Sequence, residues 1–241
     1  MSLYTSLLTS KNKFISIQSN DPKVVDHFNS TTSCAKLIIN QINTDRFYDR
    51  IFNGKSNMTV LDIGANVGLF SLYAQDSCDK IYSIEPTPDH FYILNELTKD
   101  YDNIHPQNFA LSNIRGEIDF FIDHGNSTMN SLINQSDHKI TVKTKSLLNF
   151  CEDLEISKCD FVKIDIEGSE MVALTDETVS EVKHIIDNWF VEVHPTNVPY
   201  SNYAAWYAKL MKNRDTIVSI FRNNGYQVEL QDKEYGMYIT R

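Results

Sequence analysis

VLDIGANVGLF, residues 60–70, sets an apolar strand-like run against a turn with two glycines and then a helix-forming run. Gly64 can take the positive φ of a tight turn, Asn66 tolerates that region better than most residues, and Gly68 lets the following helix approach the strand. The turn can therefore fold over a ligand. A dinucleotide fingerprint needs G-x-G-x-x-G so that the backbone can touch a pyrophosphate, and here Asn66 stands at the second glycine position. Asp62, just before the turn, adds a negative charge that disfavours phosphate and suits a ligand with an ammonium group. Asp62, Gly64, Ala65, Asn66 and Gly68 are the first candidate binding residues.

Outward from this turn the chain alternates strand-like and helical stretches. TVLDI (59–63), KIYSIE (80–85), IHPQNFAL (104–111), DFVKID (160–165) and NWFVEVH (188–194) read as strands, and LFSLYAQ and DHFYILNELTKD as helices between them. Near-continuous apolar strands joined by helices predict an α/β fold with a mostly parallel central sheet and helices on both faces. EIDFFID (117–123) and ITVKT (140–144) predict a hairpin-like insertion joined by a Ser/Asn-rich loop, His124 to Asp137. Residues 201–224 predict a long helix closed by Gly225, and YQVELQ and YGMYITR an antiparallel C-terminal strand pair. Residues 32–52 carry apolar positions at helical intervals, with Gly54 as the stop. One domain over 1–241 is expected: a helical lead-in over 1–57, a cofactor-binding core over 58–197, and a C-terminal helix and strand pair over 198–241.

Glu85 ends the second strand 21 positions after Gly64, near the offset of about 20 residues at which such folds place a carboxylate on ribose hydroxyls. A carboxylate there accepts two hydrogen bonds from a vicinal diol, and Pro86 and Pro88 turn the chain away. Asn108, Phe109 and Ala110, after the third strand, occupy the place where an adenine would be read. A ligand with an adenosine, an amino-acid end and no phosphate fits this set, which is the description of S-adenosylmethionine. The rival is a nicotinamide, which would share the sheet, the glycines and Glu85.

FVKIDIEGSEM (161–171) and FVEVHPT (190–196) place Asp165, Glu167, Glu192 and His194 at strand ends or in the following turn, where ligands of open α/β sheets bind. Asp165 needs a partner as an ionised carboxylate on an apolar strand, whereas Glu170 is expected to be exposed on a helix. His194 is either a general base for a hydroxyl or a structural residue. Asp165, Glu192 and His194 are also possible ligands of a divalent ion, although no metal is expected from spacing.

The formal charge of −10 and the absence of a basic patch argue against nucleic acid and anionic membrane as partners. Lys209, Lys212 and Arg214 read as the wet side of a helix. Cys34, Cys78, Cys151 and Cys159 lack C-x-x-C spacing, so reduced thiols in a cytoplasmic protein are expected. No stretch has the length and apolarity of a bilayer span, and MSLYTSLLTSKNK lacks the regions of a signal peptide.

VLDIGANVGLF, YSIEP, NFALSN, FVKIDIEGSE and FVEVH, in this order, resemble the FkbM-type S-adenosylmethionine-dependent methyltransferases over about residues 58–197, most specifically at KIDIEGSE. The resemblance implies a Rossmann-like class I methyltransferase. It places Asp62, Gly64, Asn66, Gly68 and Glu85 in the cofactor pocket, and Asp165, Glu167 and His194 near the transfer site, with Asp165 reaching the cofactor as well. It also implies O-methylation of a hydroxyl on a sugar, glycan or small metabolite. One departure is that Lys145 and Ser146 stand where the family carries a Leu-Asp pair. A protein that keeps the cofactor pocket without catalysing transfer is the remaining alternative.

Overall fold

The computed structural model of the chain describes residues 2–30, 35–46, 48–122, 139–198, 200–231 and 236–241. They divide into two compact units, one within Met1–Asn108 and the other within Phe109–Asp123 and Met129–Arg241.

In the first unit β1 (Leu3–Leu8) and β2 (Phe14–Ser19) pair as an antiparallel hairpin. This corrects the helical lead-in expected from residue 1. LYTSLL and FISIQS alternate with period two, which buries Leu7 and Ile17 on one face while Tyr4 and Phe14 stay exposed on the other, and Asn12 turns the chain at φ 59°. Helix begins with α1 (Pro22–Asn29), where the Asp21 side chain accepts the N–H groups of Lys23 and Val24. Of the helical pattern expected over 32–52, the described residues form helix but in broken pieces. A π-helical turn over Gln41–Asp45 and left-handed Arg46 separate α2 (Ala35–Asn40) from α3 (Asp49–Phe52), and Gly54 turns at φ 70°. Cys34 and Phe47 lie outside the described residues.

Strands β3 (Met58–Ile63), β4 (Cys78–Ile84) and β5 (Ile104–Gln107) run parallel in that order, with α4 (Leu69–Ala74) and α5 (Pro88–Thr98) between them in the chain. Val60 and Leu61 point to opposite faces of β3 and both are fully buried, which is why this strand reads as an apolar run rather than an alternation. The third expected strand stops at Gln107. There Asn108 Nδ2 donates to the carbonyls of Glu85 (2.9 Å) and Pro86 (3.2 Å) and leads the chain out of the ladder.

The second unit opens with β6 (Ala110–Leu111), β7 (Gly116–Phe121) and β8 (Lys139–Lys145) in a small sheet of order β6-β8-β7. The antiparallel β7–β8 pair is the predicted insertion, and Ala110, Phe120 and Val142 form its core. The Ser/Asn-rich loop from 124 to 137 lies outside the described residues. Then follow α6 (Leu147–Asp153), β9 (Phe161–Ile164), α7 (Glu170–Ala173), α8 (Asp176–Val182), β10 (Asn188–Glu192), α9 (Tyr203–Asn223), β11 (Gln227–Leu230) and β12 (Gly236–Thr240). Strand order is β11-β12-β10-β9, with β9 and β10 parallel and β12 antiparallel to both its neighbours, so the predicted C-terminal pair forms. Gly225 follows α9 at φ 88°, the left-handed stop read from the sequence. Trp189 of β10, fully buried, packs edge-on against Phe221 of α9.

The architecture is the α/β class expected, with parallel core strands and an antiparallel C-terminal pair. Among the described residues no helix is long and apolar enough to cross a membrane.

Candidate active site

The predicted binding turn follows β3. Gly64, Asn66 and Gly68 all take positive φ, at 81°, 51° and 86°. The close approach at Gly68 is to a helix rather than to the strand: a Cβ there would stand 2.5 Å from Leu94 Cδ1 of α5. The N–H groups of Gly64 and Ala65 both donate to the Ile84 carbonyl, at 3.0 and 2.9 Å, which ties the turn to the end of β4.

Glu85 finishes this fastening. Its Oε2 accepts the Asn66 N–H at 2.9 Å and its Oε1 the Thr87 N–H at 2.8 Å, so one carboxylate holds both the turn and its own exit. The Thr87 side chain bonds the carboxylate as well, and the roughly four acceptor sites of a carboxylate leave room for a further donor. Burial pushes the Glu85 carboxyl up to about 7, against the opposing pull of these hydrogen bonds. His90 lies 3.9 Å away, but burial lowers it to about 4 and leaves it neutral, so the contact is not an ion pair. Asp62 is fully buried and its Oδ2 accepts from Ser71 Oγ at 2.6 Å, with Ser83 Oγ 2.7 Å beyond. Two buried carboxylates with no Lys or Arg in 62–68 or 85–87 repel a diphosphate and suit a ligand carrying positive charge. The sulfonium and ammonium of S-adenosylmethionine meet that condition, and a ribose hydroxyl is a donor of the kind Glu85 can accept.

The three residues expected at the adenine behave differently. The Asn108 amide is used on the Glu85 and Pro86 carbonyls. Phe109 is buried with its ring 5.2 Å from that of Phe150, and Ala110 belongs to the core of the small sheet. Pro86 is half-buried beside Glu85.

In the second unit the strand-end residues meet around one imidazole. His194 Nε2 lies 3.5 Å from Glu192 Oε1, 3.8 Å from Glu167 Oε2 and 3.9 Å from Asp165 Oδ1, while Nδ1 lies 3.3 Å from Glu170 Oε1. Glu167 and Gly168 take positive φ, at 53° and 96°, and a Cβ on Gly168 would collide with Thr196 Cγ2, so the turn after β9 fits tightly under the residues that follow His194. Asn213 of α9, itself buried, donates from Nδ2 to the His194 carbonyl at 2.9 Å.

Glu170 is the clear correction. It was expected on an exposed helix face, yet it is fully buried. It opens α7, a single turn whose first side chain folds back to accept the Ile166 N–H at 2.9 Å. Lys163, buried on β9, is the partner that Asp165 needed, at 3.2 Å. A lysine two positions before an acid on an apolar strand shares its face, and that spacing was the available signal.

The charges follow from this packing. Burial alone would raise Asp165, but Lys163 and His194 outweigh it and hold the carboxyl below its usual range. Glu167 goes the other way, up to about 8, through burial and the carboxylates of Asp165, Glu170 and Glu192, against the pull of His194. Burial would lower His194, yet the surrounding carboxylates raise it well above its ordinary value. These neighbours favour the protonated ring, whereas the general-base role weighed for His194 beside a structural one needs the neutral ring.

A family model described as the methyltransferase FkbM domain matches residues 62–228, more than half of the chain. The chain is 28% identical to methyltransferase sdnD of Sordaria araneosa over 195 residues, covering 64% of this chain and 75% of that one. It is also 28% identical to hexuronic acid methyltransferase AglP of Haloferax volcanii over 145 residues, 55% of this chain and 54% of the relative, so it spans about half the length of the latter. Among solved structures, a SAM-dependent methyltransferase of Aquifex aeolicus aligns over 92% of this chain and 98% of its own at 11% identity and a TM-score of 0.48.

Proposed function

We propose, from the premise that this chain belongs to the FkbM methyltransferase family and is an S-adenosylmethionine-dependent enzyme, that it methylates an oxygen of a sugar or small metabolite, in the first place a hydroxyl. The observation that supports the cofactor assignment best is Glu85, whose two oxygens hold the Asn66 and Thr87 N–H groups while facing a turn bent by three positive-φ residues. Asp62, Gly64, Ala65, Asn66, Gly68, Glu85 and Pro86 would line the cofactor. The nicotinamide alternative is left without support. The sugar acceptor takes its support from AglP, named for a hexuronic acid. We further take 1–241 as one catalytic domain acting in the cytoplasm on a small molecule or glycan rather than on nucleic acid.

Bound S-adenosylmethionine supplies a sulfonium methyl whose C–S bond breaks as the acceptor's O–C bond forms. The chain's own task is to hold the acceptor in line and to take one proton from its hydroxyl, where effective molarities of about 10⁵–10⁸ M are attainable from orientation alone. Asp165, kept ionised by Lys163, and Glu192 are the groups of the cluster assigned to the acceptor's proton. His194 holds them in place, Asn108 fastens the exit of the Glu85 turn, and Phe109 and Ala110 serve the core of the second unit.

The test is transfer of labelled methyl from S-adenosylmethionine to a panel of hexuronic acids, neutral hexoses and polyketide alcohols. The modified atom is assigned by mass spectrometry. An O-methyl ether on any of them supports the reading, a methyl ester overturns the hydroxyl part, and N-methylation or no transfer overturns it as a whole.

A further inference from the structure

The second unit gathers four carboxylates, Asp165, Glu167, Glu170 and Glu192, at 3.3–3.9 Å from one imidazole, with Lys163 on Asp165. One ligand atom each from Asp165, Glu167 and His194 falls within 4.8 Å of the others. Donor atoms about 2.1 Å from a shared ion stand about 3.0 Å apart when adjacent and about 4.2 Å apart when opposite. The observed 3.8 and 3.9 Å from Nε2 to Glu167 and Asp165 already lie inside that span.

The orientation of the ring points the same way. Glu170 Oε1 sits on Nδ1, so it can hold the proton on that nitrogen and leave the Nε2 lone pair toward the other three carboxylates. Metal-bound imidazoles nearly always have their second nitrogen held in this manner. Asp165 is divided likewise: Oδ2 takes Lys163, and Oδ1 faces Nε2. Independently of the cluster's composition, Glu170 is fully buried, aimed at His194, and its Oε2 has no hydrogen-bond partner among the described residues. A buried carboxylate oxygen left in that state is stabilised by positive charge at the imidazole.

We propose that Asp165, Glu167 and His194 bind one divalent first-row cation, with Glu192 as a further oxygen donor and Glu170 orienting the imidazole. One nitrogen and several carboxylate oxygens suit Mn²⁺ or a similar ion better than a thiolate-seeking one. The ion would take the acceptor's hydroxyl as a ligand and make it more acidic, the proton passing to a carboxylate of the cluster. This deepens the methyltransferase reading and rests on it for its catalytic consequence, while the binding itself is measured without cofactor or acceptor.

The test is titration of EDTA-treated protein with Mn²⁺, followed by loss of the paramagnetic resonance signal of the free ion. The expected result is one Mn²⁺ per chain, weakened at least about 10-fold in His194→Ala and in the near-isosteric Glu167→Gln. Folding of each variant is checked by its S-adenosylhomocysteine-induced rise in Tm, a readout that needs no ion, and the variant that folds decides. An undiminished Mn²⁺ signal with wild-type protein at millimolar ion, or wild-type affinity in the folded variants, overturns the proposal. Mn²⁺ binding that survives with no response to S-adenosylhomocysteine overturns the methyltransferase reading instead and leaves the ion site standing.

Discussion

Glu85 carries the cofactor half at the scale of single residues, and its protonation gives a signed prediction. Its carboxyl is raised from 4.5 to about 7, so between those values the folded chain keeps a proton that the unfolded chain has lost. This contribution to stability therefore falls as pH rises across that window. Ribose hydroxyls donate best to the ionised form, so affinity for S-adenosylhomocysteine is expected to be roughly 10-fold weaker at pH 5.5 than at pH 8. Calorimetry on Glu85→Gln should show weak binding with that dependence gone. His194 has the same sign: its raised value stabilises the fold fully below about 6.5, and the gain is lost as pH climbs through the raised value. Gly68→Ala joins a positive φ to a 2.5 Å approach to buried Leu94, and is expected to cost about 1–3 kcal/mol in urea unfolding. An unchanged midpoint would contradict the packing. The residues of this turn were legible because positive φ selects Gly and Asn by type. Glu170 was not, since a glutamate that folds back onto its own turn looks the same in sequence as one that faces water.

Elements position the second set of groups. Helix α9 reaches the end of β10 through Asn213, whose amide holds the His194 carbonyl from a buried position. Asn213→Ala leaves that carbonyl without its donor and is expected to lower stability by about 1–3 kcal/mol. It should also slow methyl transfer while affinity for S-adenosylhomocysteine changes less than about 3-fold, 0.65 kcal/mol by the usual conversion. Equal losses in both readouts would mean that the residue acts on the fold alone. Long periodic stretches such as α5 and α9 were readable because their apolar spacing spans several turns. The break after Gln107 was not, because the side-chain amide of Asn108 reaches carbonyls more than twenty residues earlier in the chain. The β1–β2 hairpin was passed over although its period-two alternation was present. Half of it is exposed, and Ser and Thr mask the pattern.

Across the whole molecule the surplus of ten negative charges acts without regard to particular contacts. It is expected to prevent retention on tRNA or duplex DNA at about 150 mM salt, where the Debye length is about 8 Å and only a local basic patch would hold a polyanion. A mobility shift at micromolar protein would contradict this. The family match over 62–228 covers the turn after β3, Glu85 and the acid cluster, and leaves the β1–β2 hairpin and α1 outside it. The α/β alternation was legible at this scale because strand and helix periods differ along the chain. Acceptor identity was not, since the same sheet supports many chemistries. The most direct measurement of the central claim is isothermal calorimetry of the wild-type chain with S-adenosylhomocysteine and, in parallel, NAD⁺. Saturable binding of one S-adenosylhomocysteine per chain with no heat from NAD⁺ is the expected result. Heat from NAD⁺ alone, or from neither ligand, would contradict it.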